Sequence, residues 1–137
     1  SNGTLLSRPD VYEALTRVDK PTLKLDTVNE HYYRLINQPY HAKSIETYIK
    51  QLMQFGKHLF IQTMFLRGKV HAELIDNTQG KEVAAWLETL VQIQPQAVVI
   101  YSLDRETPLS GLGKISTSRL AEISGLVNAK GISCTYY

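Results

Sequence analysis

Two residues of opposite charge sit within an otherwise apolar stretch, Leu23-Lys24-Leu25-Asp26-Thr27. Side chains alternate along a strand, so Lys24 and Asp26 share one face while Leu23 and Leu25 take the other. Burying an ammonium and a carboxylate is costly unless they pair or a ligand compensates them. The two therefore read either as a structural ion pair or as a ligand-binding group. Gln62 interrupts a second apolar run, where its amide needs a partner; taken alone it reads as a satisfied core amide. Further polar residues close the apolar runs: Thr27, Thr63, and the group Tyr101, Ser102, Asp104 and Arg105. In α/β folds, ligands gather at the carboxyl ends of strands, so these residues are the candidates for binding chemistry.

Other chemistry finds little support. His31, His41, His58 and His71 lack paired metal-ligand spacing and read as surface or packing residues. Ser110-Gly111-Leu112-Gly113-Lys114 has the look of a phosphate loop but not the full spacing, and it does not join a strand directly to a helix; it reads as a flexible loop. Neither a G-x-S-x-G elbow nor an H-E-x-x-H pair is present, so hydrolase templates gain nothing. Cys134 is the only cysteine, which excludes an intrachain disulfide and a cysteine metal cage. A reducing, cytoplasmic setting fits best.

The elements that must position these residues alternate from end to end. Pro9 and Asp10 suit the first turn of a helix, with Ser7 as its expected cap and Val11, Leu15 and Val18 as its apolar stripe. Strands are expected near 23–28, 59–66, 97–103 and 132–136, and the second of these is apolar enough for a buried parallel sheet. Asn29–Asn37 reads as a short helical or irregular stretch. Ser44 caps a helix striped by Ile45, Tyr48, Ile49, Leu52 and Met53, with Gly56 as its stop. Thr78 is expected to open a helix striped by Val83, Trp86, Leu87, Leu90 and Val91. Ser116 or Thr117 caps the last one, with Leu120, Ile123, Leu126 and Val127 inward and Gly131 as its stop. Arg67–Asn77 and Asp104–Lys114 read as loops.

Strand starts at Leu23, Leu59, Ala97 and Ile132 recur every 35–38 residues, which marks a repeated β/α unit with parallel, right-handed connections. An open doubly wound sheet and an arc of a barrel both satisfy that repeat. The 137 residues suit one domain and are too few for a complete eight-unit barrel, which takes about 250. Apolar residues make up 43% and charged residues 20%, which argues against disorder. A net charge of +2 without a dense basic run gives no support to nucleic-acid or membrane binding. The sequence contains no membrane-spanning stretch and no signal-peptide pattern at its start.

Several of these segments together resemble the barrel of radical S-adenosylmethionine (SAM) enzymes. Ser1-Asn2-Gly3-Thr4, which precedes a helix as the final turn of a strand would, resembles the S-N-G-T turn ending that family's third strand. Leu23-Lys24-Leu25-Asp26-Thr27 resembles the fourth strand, often S-L-D or K-L-D. Gln62-Thr63-Met64-Phe65-Leu66-Arg67-Gly68 resembles the fifth, and Ile100-Tyr101-Ser102-Leu103-Asp104-Arg105 falls where the sixth ends. Ile36-Asn37-Gln38-Pro39 resembles an I-N-x-P turn of the wybutosine-synthesis-like branch, near the molybdenum-cofactor-biosynthesis-A-like proteins. The match runs in order over nearly the whole chain.

The resemblance implies the C-terminal part of a (β/α)6 partial TIM-type barrel. It implies SAM and a [4Fe–4S] cluster as cofactors of the parent enzyme, with SAM reductively cleaved to a 5′-deoxyadenosyl radical that abstracts hydrogen from a substrate. The family's C-x3-C-x2-C cluster motif and its glycine-rich second-strand motif are both missing here, so this chain is expected to be a fragment that is inactive alone. Residue by residue, the resemblance puts Asn2 near SAM, Lys24 toward its ribose or carboxylate with Asp26 beside it, and Gln62 at the fifth-strand amide position. It puts Ser102 and Leu103 near the adenine, partly through backbone groups, with Tyr101 in that place if the strand phase shifts by one. Arg105 and Tyr136 would line the substrate end. The resemblance leaves the substrate unknown; tRNA is one conceivable class, suggested only by the branch resemblance. Two other readings stand beside this one: a complete doubly wound α/β domain that binds a small anionic ligand without catalysis, and a fragment that self-associates along an exposed strand edge.

Overall fold

The computed structural model describes residues 1–39, 43–104 and 111–137. In chain order its elements are α1 (Pro9–Thr16), β1 (Thr22–Lys24), α2 (Glu30–Asn37), α3 (Ile45–Met53), a 3-10 turn (Gly56–His58), β2 (Phe60–Phe65), β3 (Arg67–Val70), β4 (Glu73–Asp76), α4 (Gly80–Ile93), β5 (Ala97–Ser102), β6 (Leu112–Gly113), α5 (Thr117–Ala129) and β7 (Ser133–Tyr136). The expectations for His41, Arg105 and Ser110 lie outside the described residues, as does most of the segment 104–114 expected as a loop.

The main sheet is parallel throughout and has the strand order β1-β2-β5-β7. Spatial order thus follows chain order. With right-handed crossovers, such a progression carries every connecting helix to the same face. A doubly wound sheet instead reverses its order partway and covers both faces. Because these four strands never reverse, the sheet is an arc of a β/α barrel, and the doubly wound alternative is set aside.

The core confirms one covered face. Leu23, Ile61, Phe65, Val98, Ile100 and Cys134 point into a single cluster with Tyr48 and Leu52 of α3, Val83, Trp86 and Leu90 of α4, and Leu120, Ile123 and Val127 of α5. Each fully buried aliphatic side chain here is worth about 1.5–3 kcal/mol. The alternate residues Phe60, Gln62, Met64, Ala97, Val99 and Tyr101 face the other side and are only half-buried. The second strand therefore alternates rather than being buried on both faces.

Local chemistry explains most helix starts. Ser44 accepts from Thr47 N at 3.1 Å, Ser116 from Arg119 N at 3.2 Å, and Asn29 from both His31 N and Tyr32 N, each satisfying first-turn donors. The first helix departs from expectation. Arg8 holds its N-cap position without a side-chain bond, while Ser7 Oγ accepts from Gln51 Nε2 at 3.1 Å. No residue of α1 is fully buried; Tyr12 and Leu15 pack against the core, and Val18 lies beyond the helix and is exposed. Gln79, not Thr78, caps α4. Met53, Val91 and Leu126 fall at the solvent edge of their stripes.

The largest departure is the segment expected as a loop at Arg67–Asn77. It folds as a β3–β4 hairpin, and β6 adds to β3 to make a second, antiparallel sheet in the order β4-β3-β6. The two-residue turn is His71-Ala72, both with positive φ (48° and 65°). That is the tight turn which suits strand twist, but it normally advertises itself as Asn-Gly. A second apolar cluster, Leu66, Val70 and Ile75 with Tyr32, Leu35, Ile36, Met64, Leu103 and Leu112, seats this small sheet on α2 and on the ends of β2 and β5. Among the described residues, no helix is long and apolar enough to cross a membrane.

Candidate functional site

The carboxyl end of β1 is shorter than its apolar pattern suggests, because side chains take over its bonding to β2. Leu25 N still donates to Gln62 O at 3.0 Å. Beyond it, Leu25 O accepts from Thr63 Oγ1 at 2.7 Å and from Trp86 Nε1 at 3.2 Å. Asp26 Oδ1 accepts from Met64 N at 2.7 Å, and Asp26 O accepts from Asn77 Nδ2 at 2.8 Å. Asn77 completes the join by donating to Met64 O at 2.9 Å and accepting from Leu66 N at 2.8 Å.

Asp26 is buried, and its second oxygen accepts from Asn37 Nδ2 at 2.9 Å and lies 3.5 Å from Lys24 Nζ. The sequence left Lys24–Asp26 open between a structural pair and a ligand group. The structure divides the two roles. Asp26 spends both carboxylate oxygens internally, whereas the Lys24 side chain keeps 27% of its surface exposed. Burial works against the Lys24 ammonium, but Asp26 and then Tyr101 more than offset it and hold its pKa above the ordinary lysine value.

Lys24 pairs in register with Gln62, and Met64, one alternation further along, pairs with Tyr101. Parallel partners share a face, so Lys24, Gln62 and Tyr101 meet on the uncovered side of the sheet. An ammonium, an amide and a phenol together suit a ligand with carboxylate and hydroxyl groups. The other predicted residues sit elsewhere. Ser102 faces the helices, buried, donating to Phe65 O at 2.9 Å and accepting from Ile115 N at 2.8 Å, so its hydroxyl is committed to the fold. Leu103 belongs to the apolar cluster under the small sheet. Asn2 Oδ1 closes its own turn, accepting from Thr4 N at 3.2 Å and Thr4 Oγ1 at 2.6 Å. Tyr136 is on β7 and largely exposed.

Ser1 nonetheless lies where a strand neighbour of β1 would. It donates to Thr22 O and accepts from Lys24 N, both at 3.0 Å. The next turn needs Gly3: φ is +70°, and a Cβ there would come within 2.4 Å of the Tyr48 ring. Tyr48 uses that space to donate to Lys24 O at 2.6 Å, and burial pushes its phenol pKa well up. Asn37, Tyr48 and Asn77 all shape this site, and sequence reasoning missed them. Asn77 within Asp76-Asn77-Thr78 reads as an ordinary turn residue, and Tyr48 as part of a helix stripe.

The donor set on the open face is compatible with SAM, whose amino-acid and ribose groups match an ammonium, an amide and a phenol. It does not suit an iron–sulfur cluster. Among the described residues no three His, Cys, Asp or Glu side chains come together, and Cys134 is buried with its thiol pKa pushed up by burial.

No family model matches the chain, and no curated protein matches it. Solved structures do. A domain of pyruvate-formate lyase-activating enzyme from Bacteroides vulgatus superposes with a TM-score of 0.74 at 13% identity, covering 98% of this chain and 78% of that one. A radical SAM methyltransferase from Sphaerobacter thermophilus superposes with a TM-score of 0.68 at 16% identity, covering 93% of this chain and 37% of that one.

The chain has their fold. The arc of four parallel strands with its helices on one side is the partial barrel that these proteins share, and the strand assignments made from the sequence fall on it in order. Within this partial barrel, Lys24, Gln62 and Tyr101 share the face away from the helices, and the buried Asp26 pairs with Lys24.

Proposed function

We propose that this chain is the SAM-binding, substrate-facing part of a radical SAM enzyme barrel. One observation carries it: in a fold shared with a radical SAM methyltransferase, a lysine held by a buried aspartate stands beside Gln62 and Tyr101 on the uncovered face of the sheet. Lys24 would meet the carboxylate or ribose of SAM, Gln62 and Tyr101 would orient it, and Asp26 would keep the Lys24 ammonium charged and in place. When SAM is bound in such an enzyme, its reductive cleavage supplies the group that abstracts hydrogen. The described residues offer no cluster ligands, so this chain is assigned binding and orientation, and it is inactive alone. A reducing, cytoplasmic setting is a further part of the proposal, carried by the lone cysteine; the substrate is left unassigned, since tRNA has only branch resemblance behind it and the net charge of +2 does not support it.

The test is titration calorimetry of the chain with SAM, together with the Lys24→Ala variant. Saturable binding is expected, with affinity about tenfold lower in the variant through loss of a charge-assisted contact. Thermal melting should rise with SAM in the parent chain. A chain that melts cooperatively, ignores SAM and instead binds other small anions would replace this proposal with a non-catalytic ligand-binding domain.

A further inference from the structure

The outer face of the small sheet carries a second polar constellation. Arg67 and Asp76 stand directly opposite each other across the β3–β4 ladder, and Gly113 is the partner of Arg67 on the β6 side. Cross-strand partners of opposite charge usually pair. Among the described residues, no ion pair joins these two. Asp76 uses Oδ1 to accept from Thr78 N at 2.9 Å and Thr78 Oγ1 at 2.5 Å. Gln79, next in the chain, makes no capping bond with its side chain.

Between these groups lies a depression of about 440 Å³, a volume within the range of small-molecule sites. Arg67, Asp76, Gln79 and Leu74 line its sides, and Gly111 and Gly113 leave its floor without side chains. Leu74 is 75% exposed and offers an apolar side chain at the rim of the depression. The depression is lined by residues that follow β2 and precede α4 together with Gly111 and with Gly113 of β6, and it includes none of Lys24, Gln62 and Tyr101.

We propose that this depression binds a small zwitterion of the α-amino acid type. Arg67 and the Gln79 amide take the carboxylate, Asp76 takes the ammonium, and Leu74 covers an apolar side chain. A guanidinium and a carboxylate facing each other without pairing suit a ligand that carries both charges close together, and the bare glycine floor lets its backbone-like core approach. This does not depend on SAM binding at the other face.

The experiment is a nuclear magnetic resonance titration of the chain with free L-leucine. N-acetyl-L-leucine, which lacks the ammonium, and L-leucine amide, which lacks the carboxylate, are the comparisons. Saturable shifts at the amides of Gly68, Gly111 and Gly113 are expected with leucine. Removing either ligand charge should weaken binding about tenfold or more. Gly113→Ala is the decisive variant: a Cβ there meets nothing nearer than 3.5 Å, so the fold tolerates it while the methyl occupies the floor. It should abolish the shifts without changing the melting curve. Arg67→Gln should weaken leucine binding and leave the amide's unchanged. Absence of saturation at millimolar leucine, or equal binding by the Gly113→Ala protein, overturns the proposal.

Discussion

Asp26 is the residue on which the open face depends. Its carboxylate is itself buried, bonds a backbone N–H and an asparagine amide, and sits against the partly exposed Lys24. Removing one partner of such a network leaves the others buried and unpaired, a cost of about 3 kcal/mol or more. Asp26→Ala should therefore lower the unfolding free energy measured in urea by that amount, while Lys24→Met, which removes the partly exposed partner, should lower it far less. Alkali gives a second check. The raised pKa of Lys24 means that its contribution to stability is fully present below the ordinary lysine value of 10.5 and is lost as pH rises through the folded value. Burial of the Cys134 thiol acts in the same direction once pH passes its ordinary 9.0, whereas Lys43, its pKa lowered by burial, acts in the opposite one. Stability measured by denaturant should fall above pH 10, and Lys24→Met should flatten part of that fall. The Lys24–Asp26 relation was legible in the sequence because strand periodicity is strict. The burial of Ser102 was not, since one residue of strand phase decides which face a side chain takes.

At the scale of elements, the β3–β4 hairpin is the part that sequence patterning hid. Its turn residues, His71 and Ala72, adopt positive φ without the chemistry that favours it. Replacing them with Asn-Gly should stabilise the protein by about 1 kcal/mol, read as a higher melting temperature. No change would mean that the hairpin is held by its packing on α2 alone, through Tyr32, Leu35 and Ile36. By contrast, the four strands of the main sheet were legible from their regular spacing, with β2 and β5 plainest because their apolar residues run on across both faces even though only one face is fully buried. The helix stripes of α3, α4 and α5 were equally plain, each losing only one edge residue to solvent. The first helix misled because it lies at the rim and buries little, so its apolar residues follow no strict stripe.

For the whole molecule, the monotonic strand order is the fact that separates a barrel arc from a doubly wound sheet, and no periodicity contains it. Among the described residues, no strand pairs with the outer edge of β7, and the helices lie on one face of the sheet. We expect the chain to self-associate with concentration along that edge, measured by light scattering; a monomer across the accessible range would show that the edge is self-sufficient.

The transfer of bonding at the end of β1 from backbone to side chains has a consequence for motion. The amides of Met64 and Leu66 are tied to Asp26 and Asn77 side-chain oxygens, not to a neighbouring strand's carbonyls. Two rotamer changes release them, and no rung of the β2–β5 ladder need break. We expect the Met64 and Leu66 amides to exchange with solvent at a rate of their own, distinct from global unfolding, as hydrogen exchange would show; exchange at the global rate would mean that this corner opens only when the whole sheet does. Such a rate would time the parting of the wall beside Lys24.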